Sequence, residues 1–226
     1  MKKNKYSTDY SAHDIVYLRN KEKGLPGWNN AEELSAQIKQ LSGIFKLAVV
    51  PKKGQVLDLG CGAGNISFWL EKLGYQVTGV DVSSVAIEWA IEEAVLTDSQ
   101  AKFAVFNAAL ALFKANNEFD IVLDNNCLHC IIGNDRGLYL RNVFNNLKSG
   151  GIYICNTMCD EFRDEQIKQY FDPISRLIIR NNQAIRYLGT HDDIIKEITD
   201  LGFILQYEES TSCETQDSFC FVAGKS

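Results

Sequence analysis

The chain has 226 residues, of which 46% are hydrophobic and 23% charged, a composition typical of a globular protein with one large domain. Its net charge of −6 argues against a broad nucleic-acid-binding surface, because phosphate contacts need clustered Lys and Arg, and these residues are dispersed. No apolar run approaches the ~20 residues that span a bilayer, and the N-terminus has no apolar segment of a signal peptide. We therefore expect a cytoplasmic protein with a small-molecule partner and no membrane partner; the sequence does not indicate an oligomeric state.

Seven cysteines are scattered along the chain, an odd number that favours reduced thiols over a disulfide framework. Cys127 and Cys130 form a C-x-x-C pair, a pattern found in zinc sites and in reactive thiol pairs. Zinc would need two more ligands, and no second C-x-x-C or His pair is present. We therefore predict structural thiols and no metal, with a reactive pair as the alternative.

Residues 1–53 precede the first predicted strand and are predicted to form a helical cap. Asn30 and Glu33 fit a capping box at the start of one helix. Apolar residues at helical spacing would pack this helix on the rest of the domain: Leu34, Ile38, Leu41, Phe45 and Ala48. In "KGLPGWN" a Pro-Gly turn presents Trp28, either as a lid over a ligand or as core packing.

From residue 54 onward, short β-rich runs alternate with helical patterns, which is typical of βαβ units and a parallel sheet. The predicted strands are Val56–Leu59, Gln76–Asp81, Lys102–Phe106, Asp120–Asp124 and Ile152–Asn156. The predicted helices are Ile66–Leu73, Ser84–Ala94 and Leu138–Leu147.

The C-terminal part predicts a helix followed by a hairpin. A capping box at Thr190 begins the helix Asp192–Leu201. The strands Phe203–Glu209 and Phe219–Ala223 are joined by a connection too short for a helical crossover, so they should pair antiparallel. Such a closing hairpin differs from the two matched halves of the ordinary dinucleotide-binding fold.

A glycine-rich turn, "VLDLGCGAGN" at residues 56–65, follows the first predicted strand. Glycines allow a strand-to-helix turn to approach a ligand closely, because they have no side chain and adopt unusual dihedrals. The spacing of Gly60, Gly62 and Gly64 is G-x-G-x-G, with Asn65 where the dinucleotide fingerprint G-x-G-x-x-G has its third glycine. This spacing disfavours a pyrophosphate ligand such as NAD. A purely structural turn is the alternative.

Two carboxylates accompany the turn. Asp58 lies two residues before Gly60, where a carboxylate would repel a pyrophosphate but suit an ammonium group. Asp81 ends the second predicted strand 21 residues after Gly60, the position from which a carboxylate accepts both hydroxyls of a ribose. A ligand with a ribose and an amino-acid ammonium, but no pyrophosphate, is S-adenosylmethionine.

Residues 54–157 resemble the class I S-adenosylmethionine-dependent methyltransferases. Four motifs in the family's order carry the resemblance: "VLDLGCGAGN", "VTGVDVS", "FDIVLDNNCLH" and "LKSGGIYI". The resemblance implies a Rossmann-like α/β fold, a single domain over 1–226 with a seven-stranded, mostly parallel sheet, a C-terminal antiparallel hairpin and helices on both faces. Residues 158–190 would form a substrate-side insertion, and 191–226 the last helix and hairpin.

The resemblance also implies a binding site for S-adenosylmethionine, with S-adenosylhomocysteine as the product. The glycines would surround the methionine moiety, Asp81 would bind the ribose and Asn107 the adenine. Asp124 would border the sulfonium. The complete set of implied cofactor residues is Asp58, Gly60, Cys61, Gly62, Gly64, Asn65, Asp81, Val82, Asn107, Ala108, Asp124 and Asn125.

Methyl transfer from a sulfonium is a direct displacement that needs alignment and exclusion of water, and a base only where the acceptor must lose a proton. His129, just after the fourth predicted strand, is the candidate base, or else it braces the following segment. Arg186 would bind an anionic acceptor or form a surface ion pair. The predicted substrate-side residues are Trp28, Met158, Asp160, Arg186 and Tyr187.

"GLPGW", "LDNNCLH" and the 158–190 insertion resemble, more loosely, bacterial small-molecule methyltransferases of the thiopurine and tellurite type. Residues 124–127 read Asp-Asn-Asn-Cys, not the N-P-P-Y of enzymes that methylate nucleobase or glutamine amino groups. A small-molecule acceptor is thus predicted. The alternatives are a protein or RNA acceptor, a non-catalytic regulatory protein that keeps the donor site, and, disfavoured by the glycine spacing, an NAD oxidoreductase.

Overall fold

The computed structural model describes residues 9, 10, 12–111 and 118–226; residues 1–8 of the predicted cap lie outside the described residues. The α-helices are α1 (Ala12–Glu22), α2 (Ala31–Ile44), α3 (Asn65–Lys72), α4 (Ser84–Thr97), α5 (Asp135–Asn146), α6 (Glu165–Lys168) and α7 (His191–Thr199), with a short 3-10 helix at Leu128–Cys130. The strands are β1 (Gln55–Leu59), β2 (Gln76–Asp81), β3 (Lys102–Val105), β4 (Phe119–Asn125), β5 (Leu147–Phe162), β6 (Phe171–Asp172), β7 (Leu177–Arg180), β8 (Gln183–Tyr187), β9 (Phe203–Ser212) and β10 (Gln216–Lys225). None of the helices in the described part of the chain has the length and apolar character needed to cross a membrane.

The main sheet has seven strands in the order β3-β2-β1-β4-β5-β10-β9. Neighbours from β3 to β5 pair in parallel, and β10 pairs antiparallel with both β5 and β9. This confirms the predicted mostly parallel sheet with a closing antiparallel hairpin. Strands β1 and β4 are neighbours in the sheet, although β2 and β3 lie between them in the sequence, so the direction of the strand order reverses at this point. Open α/β sheets bind ligands at such a switch point.

Alternate residues of the central strands face two separate cores. On one face, Val56 and Ile121 belong to a cluster with residues of α2 and α3. On the other, Leu57 and Val122 belong to a cluster with residues of α5 and α7. Because both faces are covered, the central strands are apolar almost throughout, as expected of a parallel sheet in an α/β domain.

Both predicted capping boxes are present. The Asn30 side chain accepts from the amides of Glu32 and Glu33 at the start of α2, and Thr190 accepts from Asp193 at the start of α7. The predicted apolar stripe of α2 extended about one turn beyond the end of the helix. Helix α2 ends at Ile44, so Ala48 lies in the turn that follows it.

The structure corrects the predicted strands in two places. Strand β5 extends over Leu147–Phe162, far beyond the predicted Ile152–Asn156, because it pairs with β10 as far as Phe162. The insertion at 158–190 holds a second sheet, β6-β7-β8, that the sequence analysis did not predict. These strands are two to five residues long, so they offer too few residues for a clear alternating pattern.

Candidate active site

A cavity of about 660 Å³ lies at the carboxyl ends of the central strands. Its walls come from the glycine turn after β1, the ends of β2 and β4, the 3-10 helix, strand β8, and the N-terminal segment with α1 and α2. The predicted site residues that line it are Trp28, Asp58, Gly60, Cys61, Gly62, Asn65, Asp81, Val82, Asn107, Ala108, Asn125, His129, Met158 and Arg186. The topology thus brings together residues that are more than 150 positions apart in the sequence.

The glycine turn is held in place by its own backbone. Gly60, Gly62 and Gly64 have φ angles of 72°, 55° and 82°, in the left-handed region that favours glycine. The amides of Gly60 and Cys61 donate to the Val80 carbonyl at 2.8 and 3.1 Å. The Gly62 amide donates to the Asp81 carboxylate at 2.9 Å, and that of Gly64 to the Cys61 carbonyl at 3.0 Å. A pyrophosphate would therefore find these four donors already used.

The two predicted carboxylates lie on the β1–β2 side of the cavity. The two Asp81 oxygens accept from the amides of Gly62 and Ser83, at 2.9 and 2.8 Å. Burial raises the pKa of Asp81, although these two hydrogen bonds oppose the rise. Each carboxylate oxygen can accept more than one hydrogen bond, so Asp81 keeps acceptor capacity toward the cavity.

Asp58 is 2% exposed and accepts a hydrogen bond from the Ser67 hydroxyl at 2.6 Å. Burial raises the pKa of Asp58 to about 7, and the negative charges of Asp81 and Asp124 add to the rise against the Ser67 hydrogen bond. Near neutral pH this carboxyl is therefore poised between its two forms. A cationic group in the cavity would favour the ionised one.

Asp124 does not line the cavity, although the resemblance places it beside the methionine end of the ligand. It is fully buried, and its oxygens accept from the hydroxyls of Tyr139 at 2.7 Å and Tyr153 at 3.2 Å. The amides of Cys127 and Leu128 also donate to it, at 2.8 and 3.1 Å. Burial raises the pKa of Asp124 to about 6. Its observed contacts fix the start of the 3-10 helix that carries the cavity histidine.

Two predicted substrate-side residues also lie outside the cavity lining. Asp160 accepts from the His191 amide at 3.1 Å, at the start of α7. The Tyr187 ring lies under the guanidinium of Arg136, at 4.6 Å from the ring centroid. Both side chains thus contact the scaffold behind the cavity. Gly64, one of the predicted cofactor residues, is the N-cap of α3 and is likewise not in the lining.

His129 lines the cavity and is 3% exposed. Its Nδ1 lies 3.3 Å from both the Met158 amide and the Thr157 hydroxyl, so the ring also contacts β5. Burial and the charges of Arg186 and Arg136 lower the pKa of His129 well below its usual value. The ring is therefore neutral at physiological pH. Its position is compatible with both predicted roles, because the ring lines the cavity and also contacts β5.

Arg186 projects from β8 into the lining of the same cavity. Its guanidinium donates to the Ile185 carbonyl at 2.7 Å. No carboxylate of the described residues lies within 4.0 Å of it, so it has no ion-pair partner among them. By contrast, Arg163, from the same insertion, pairs with Asp217 at 2.8 Å.

The C-x-x-C thiols, Cys127 and Cys130, also line the cavity. Burial raises the pKa of both thiols, which disfavours the thiolate that a reactive pair needs. In the described part of the chain no group of three or more His, Cys, Asp or Glu side chains could hold a metal ion. All seven cysteines are free.

Besides the predicted Trp28, the N-terminal cap contributes cavity residues that were not predicted from the sequence. Tyr10, His13 and Tyr17 line the cavity, and Trp28 packs on the rings of His13 and Tyr17 with centroids 5.5 and 5.4 Å apart. Residues 10, 13 and 17 follow the i, i+3, i+7 spacing of one helix face, a signal that could have found them. At 39% exposed, Trp28 lies over the cavity and is not a core residue.

Helix α1 is attached to the β1–β2 side of the domain. Asp14 accepts from the Ser83 hydroxyl at 2.5 Å, and Lys21 forms an ion pair with Glu92 on α4. The Tyr17 ring lies directly against the glycine turn, since a Cβ placed on Gly62 would be only 2.5 Å from the Tyr17 hydroxyl. The cap and the turn therefore fit each other closely.

Residues 51–201 match the family model described as "Methyltransferase domain". The chain belongs to this methyltransferase family. The class predicted from the sequence, an S-adenosylmethionine-dependent methyltransferase with a Rossmann-like fold and S-adenosylmethionine as cofactor, is confirmed.

The relatives of this methyltransferase differ in what they methylate. It is 30% identical over 140 residues to the ubiquinone biosynthesis O-methyltransferase of Ruegeria pomeroyi, covering 61% of this chain and 52% of the relative. It is 28% identical over 141 residues to the ribosomal protein L11 methyltransferase of Herpetosiphon aurantiacus, covering 53% and 41%. The chain thus spans about half the length of these curated relatives.

Solved structures share the fold over nearly the whole chain. The 1,6-didemethyltoxoflavin-N1-methyltransferase of Burkholderia thailandensis, with its substrate and S-adenosylhomocysteine bound, superposes with a TM-score of 0.71 at 20% identity, covering 96% of this chain and 86% of that one. At this identity the likeness concerns the fold alone.

The close fit of Tyr17 to the glycine turn is testable by substitution. We expect Gly62→Ala to destabilise the fold by more than Gly24→Ala, because both glycines have a positive φ but only the Gly62 Cβ meets another atom within 4 Å. The left-handed backbone alone costs about 1 kcal/mol. Urea unfolding measures the loss of stability, and tryptic cleavage within α1 measures the loss of packing between α1 and the turn. Adding Tyr17→Phe to Gly62→Ala should restore part of the loss; equal losses for both alanine variants would contradict the packing.

The buried Asp58 predicts a pH dependence of stability. Because its pKa is raised to about 7, between about pH 4 and 7 the folded chain keeps a proton that the unfolded chain has released. This carboxyl therefore lowers the free energy of unfolding progressively as the pH rises through that window.

We expect the stability of Asp58→Asn relative to the wild type to increase between pH 4 and 7 by roughly 3 kcal/mol, since one pKa unit corresponds to about 1.4 kcal/mol and the carboxyl is partly titrated at both ends of this window. Urea unfolding at several pH values measures it. The exposed Asp98→Asn is the matched control and should run parallel to the wild type. A pH-independent difference for Asp58→Asn would show that the carboxyl ionises normally.

Proposed function

We propose that this chain transfers a methyl group from S-adenosylmethionine to a small-molecule acceptor. One observation carries the proposal: a single cavity is lined by Asp58, Asp81 and the glycine turn on its β1–β2 side, and by His129 and Arg186 beyond β4. Donor and acceptor could thus meet within one covered space at the switch point of the sheet.

The chemistry of the β1–β2 side fits S-adenosylmethionine. Asp81 keeps acceptor capacity for the two ribose hydroxyls, and Asp58, with its pKa raised to about 7, would become ionised beside an ammonium. Asn107 lines the cavity beyond β3, in the region proposed for adenine. Four amides of the turn, those of Gly60, Cys61, Gly62 and Gly64, already donate within the protein, which suits a ligand without phosphate groups.

When bound, S-adenosylmethionine supplies a methyl group already activated on a sulfonium. The residues of this chain then have to orient the acceptor and exclude water, because a direct displacement needs alignment more than it needs a proton carrier. Trp28 and Tyr17 cover the cavity from the N-terminal segment. His129, held by β5, would hydrogen-bond to the acceptor from a fixed position.

The enclosure of the cavity favours a small molecule over RNA or protein as the acceptor. Helices α1 and α2, Trp28 and the β9–β10 turn all contribute to its walls. Among its described lining residues, Arg186 is the only Lys or Arg, whereas an RNA substrate needs several phosphate contacts. The chain's net charge of −6 points the same way.

The seven cysteines favour a cytoplasmic location for this function. All seven are free, and several line the cavity or lie in the core. Free thiols persist in a reducing compartment, while disulfides form in oxidising ones.

The donor site is tested by calorimetric titration with S-adenosylhomocysteine and with NAD. We expect saturable binding of the first and none of the second. Asp81→Asn should weaken that binding by about tenfold or more, since hydrogen bonds to charged groups contribute about 1.5–3 kcal/mol. Asp98→Asn, outside the cavity, is the matched control. Binding of NAD, or unchanged affinity in Asp81→Asn, would contradict the donor assignment.

The acceptor class is tested by incubating the protein with methyl-labelled S-adenosylmethionine and a cell extract separated into RNA, protein and small-molecule fractions. The proposal expects label in the small-molecule fraction. Label confined to RNA or protein would establish the other acceptor class.

A further inference from the structure

The described lining of the cavity contains one positive charge without an ion-pair partner among the described residues. Arg186 is the only Lys or Arg in the described lining, and no described carboxylate lies within 4.0 Å of its guanidinium. Arg136, behind the cavity, differs in this respect. Its Nε and Nη2 donate to the two carboxylate oxygens of Glu197, and its Nη1 donates to the Leu128 carbonyl. An unpaired guanidinium in a partly enclosed space is a binding site for an anion.

The neighbouring His129 is arranged to donate a hydrogen bond. The Met158 amide points its N–H at Nδ1 of His129, 3.3 Å away, so in the neutral ring the proton belongs on Nε2. Among the described residues Nε2 makes no hydrogen bond. The ring thus has an N–H group available to a ligand in the cavity.

Four described groups of the lining, His129, Cys127, Cys130 and Tyr139, are poorly suited to remove a proton. Burial and the positive charges of Arg186 and Arg136 make His129 a weak base, with a pKa well below its usual value. Cys127, Cys130 and Tyr139 have pKa values raised by burial, so they stay protonated at neutral pH. An acceptor that arrives with its proton would find none of these four groups an efficient base.

We propose that the acceptor is a small organic acid that binds as its anion, with the negative charge held by Arg186 and a hydrogen bond donated by Nε2 of His129. Its body would pack against the apolar residues Trp28, Leu34, Ile131 and Met158 of the lining. This inference rests on the proposed function and deepens it. In this arrangement Arg186 and His129 bind the acceptor, and neither residue has to accept a proton.

The transfer step then balances without a base. A lone pair of the ionised oxygen or sulfur atom forms a bond to the methyl carbon, and the bond between that carbon and the sulfonium sulfur breaks. The electron pair of the broken bond stays on sulfur. The products are the methylated acceptor, which has lost its negative charge, and S-adenosylhomocysteine, whose sulfur is uncharged. No proton is released or taken up.

The experiment compares an anion with its neutral isostere in the protein saturated with S-adenosylhomocysteine. Benzoate and benzamide have the same shape and differ in charge, and both are titrated into the wild type, Arg186→Gln and Arg180→Gln. Arg180 lies on the neighbouring strand β7 outside the cavity and is the matched control for loss of charge. Affinity is measured by calorimetry. The ring resonance of His129 is followed by NMR, since the chain has only three histidines.

We expect benzoate to bind at least about tenfold more tightly than benzamide and to shift the His129 resonance. Arg186→Gln should remove this preference, and Arg180→Gln should keep it. Equal affinities for the two probes, no binding of either, or unchanged benzoate affinity in Arg186→Gln would overturn the inference. Binding of S-adenosylhomocysteine is recorded first in every variant, so a failure of the donor site is distinguished from a failure of the anion site.

Discussion

The hydrogen bond from the Gly62 amide to the Asp81 carboxylate is the interaction on which the rest of the site depends. It ties the turn after β1 to the end of β2, while the other Asp81 oxygen binds the Ser83 amide, next to the start of α4. Ser83 in turn donates to Asp14, and so attaches α1 over the turn. One buried carboxylate therefore organises the turn, the following helix and the cap, and still has acceptor capacity toward the cavity.

Much of the fold follows from periodic patterns in the sequence. The alternation of short apolar runs with helical patterns predicted the five parallel strands, and the short connection after β9 predicted the antiparallel hairpin. The second sheet, β6-β7-β8, was not predictable in this way, because its pairing depends on tertiary contacts such as Arg176 binding the Leu188 carbonyl. Helix α1 has no continuous apolar stripe, since much of its contact with the domain is polar and aromatic.

The candidate site likewise contains residues that sequence motifs indicate and residues that they do not. Residues of contiguous motifs, such as Gly62, Asp81 and Asn107, line one cavity because they lie at or just after the carboxyl ends of adjacent strands. The contributions of Tyr10 and Tyr17 depend on how the cap folds back over the sheet: their spacing marks one helix face, but it does not show what that face contacts. Asp124 shows the reverse case: it belongs to a recognisable motif, yet its observed contacts are four hydrogen bonds that hold the scaffold.

The central claim is that one cavity holds donor and acceptor side by side at the switch point between β1 and β4. A crystal structure of the protein with S-adenosylhomocysteine tests this most directly. We predict that the ribose hydroxyls lie on Asp81, the amino-acid end lies near Asp58, and the sulfur faces the compartment lined by His129 and Arg186. A ligand whose sulfur faces away from that compartment, or one bound outside the cavity, would contradict it.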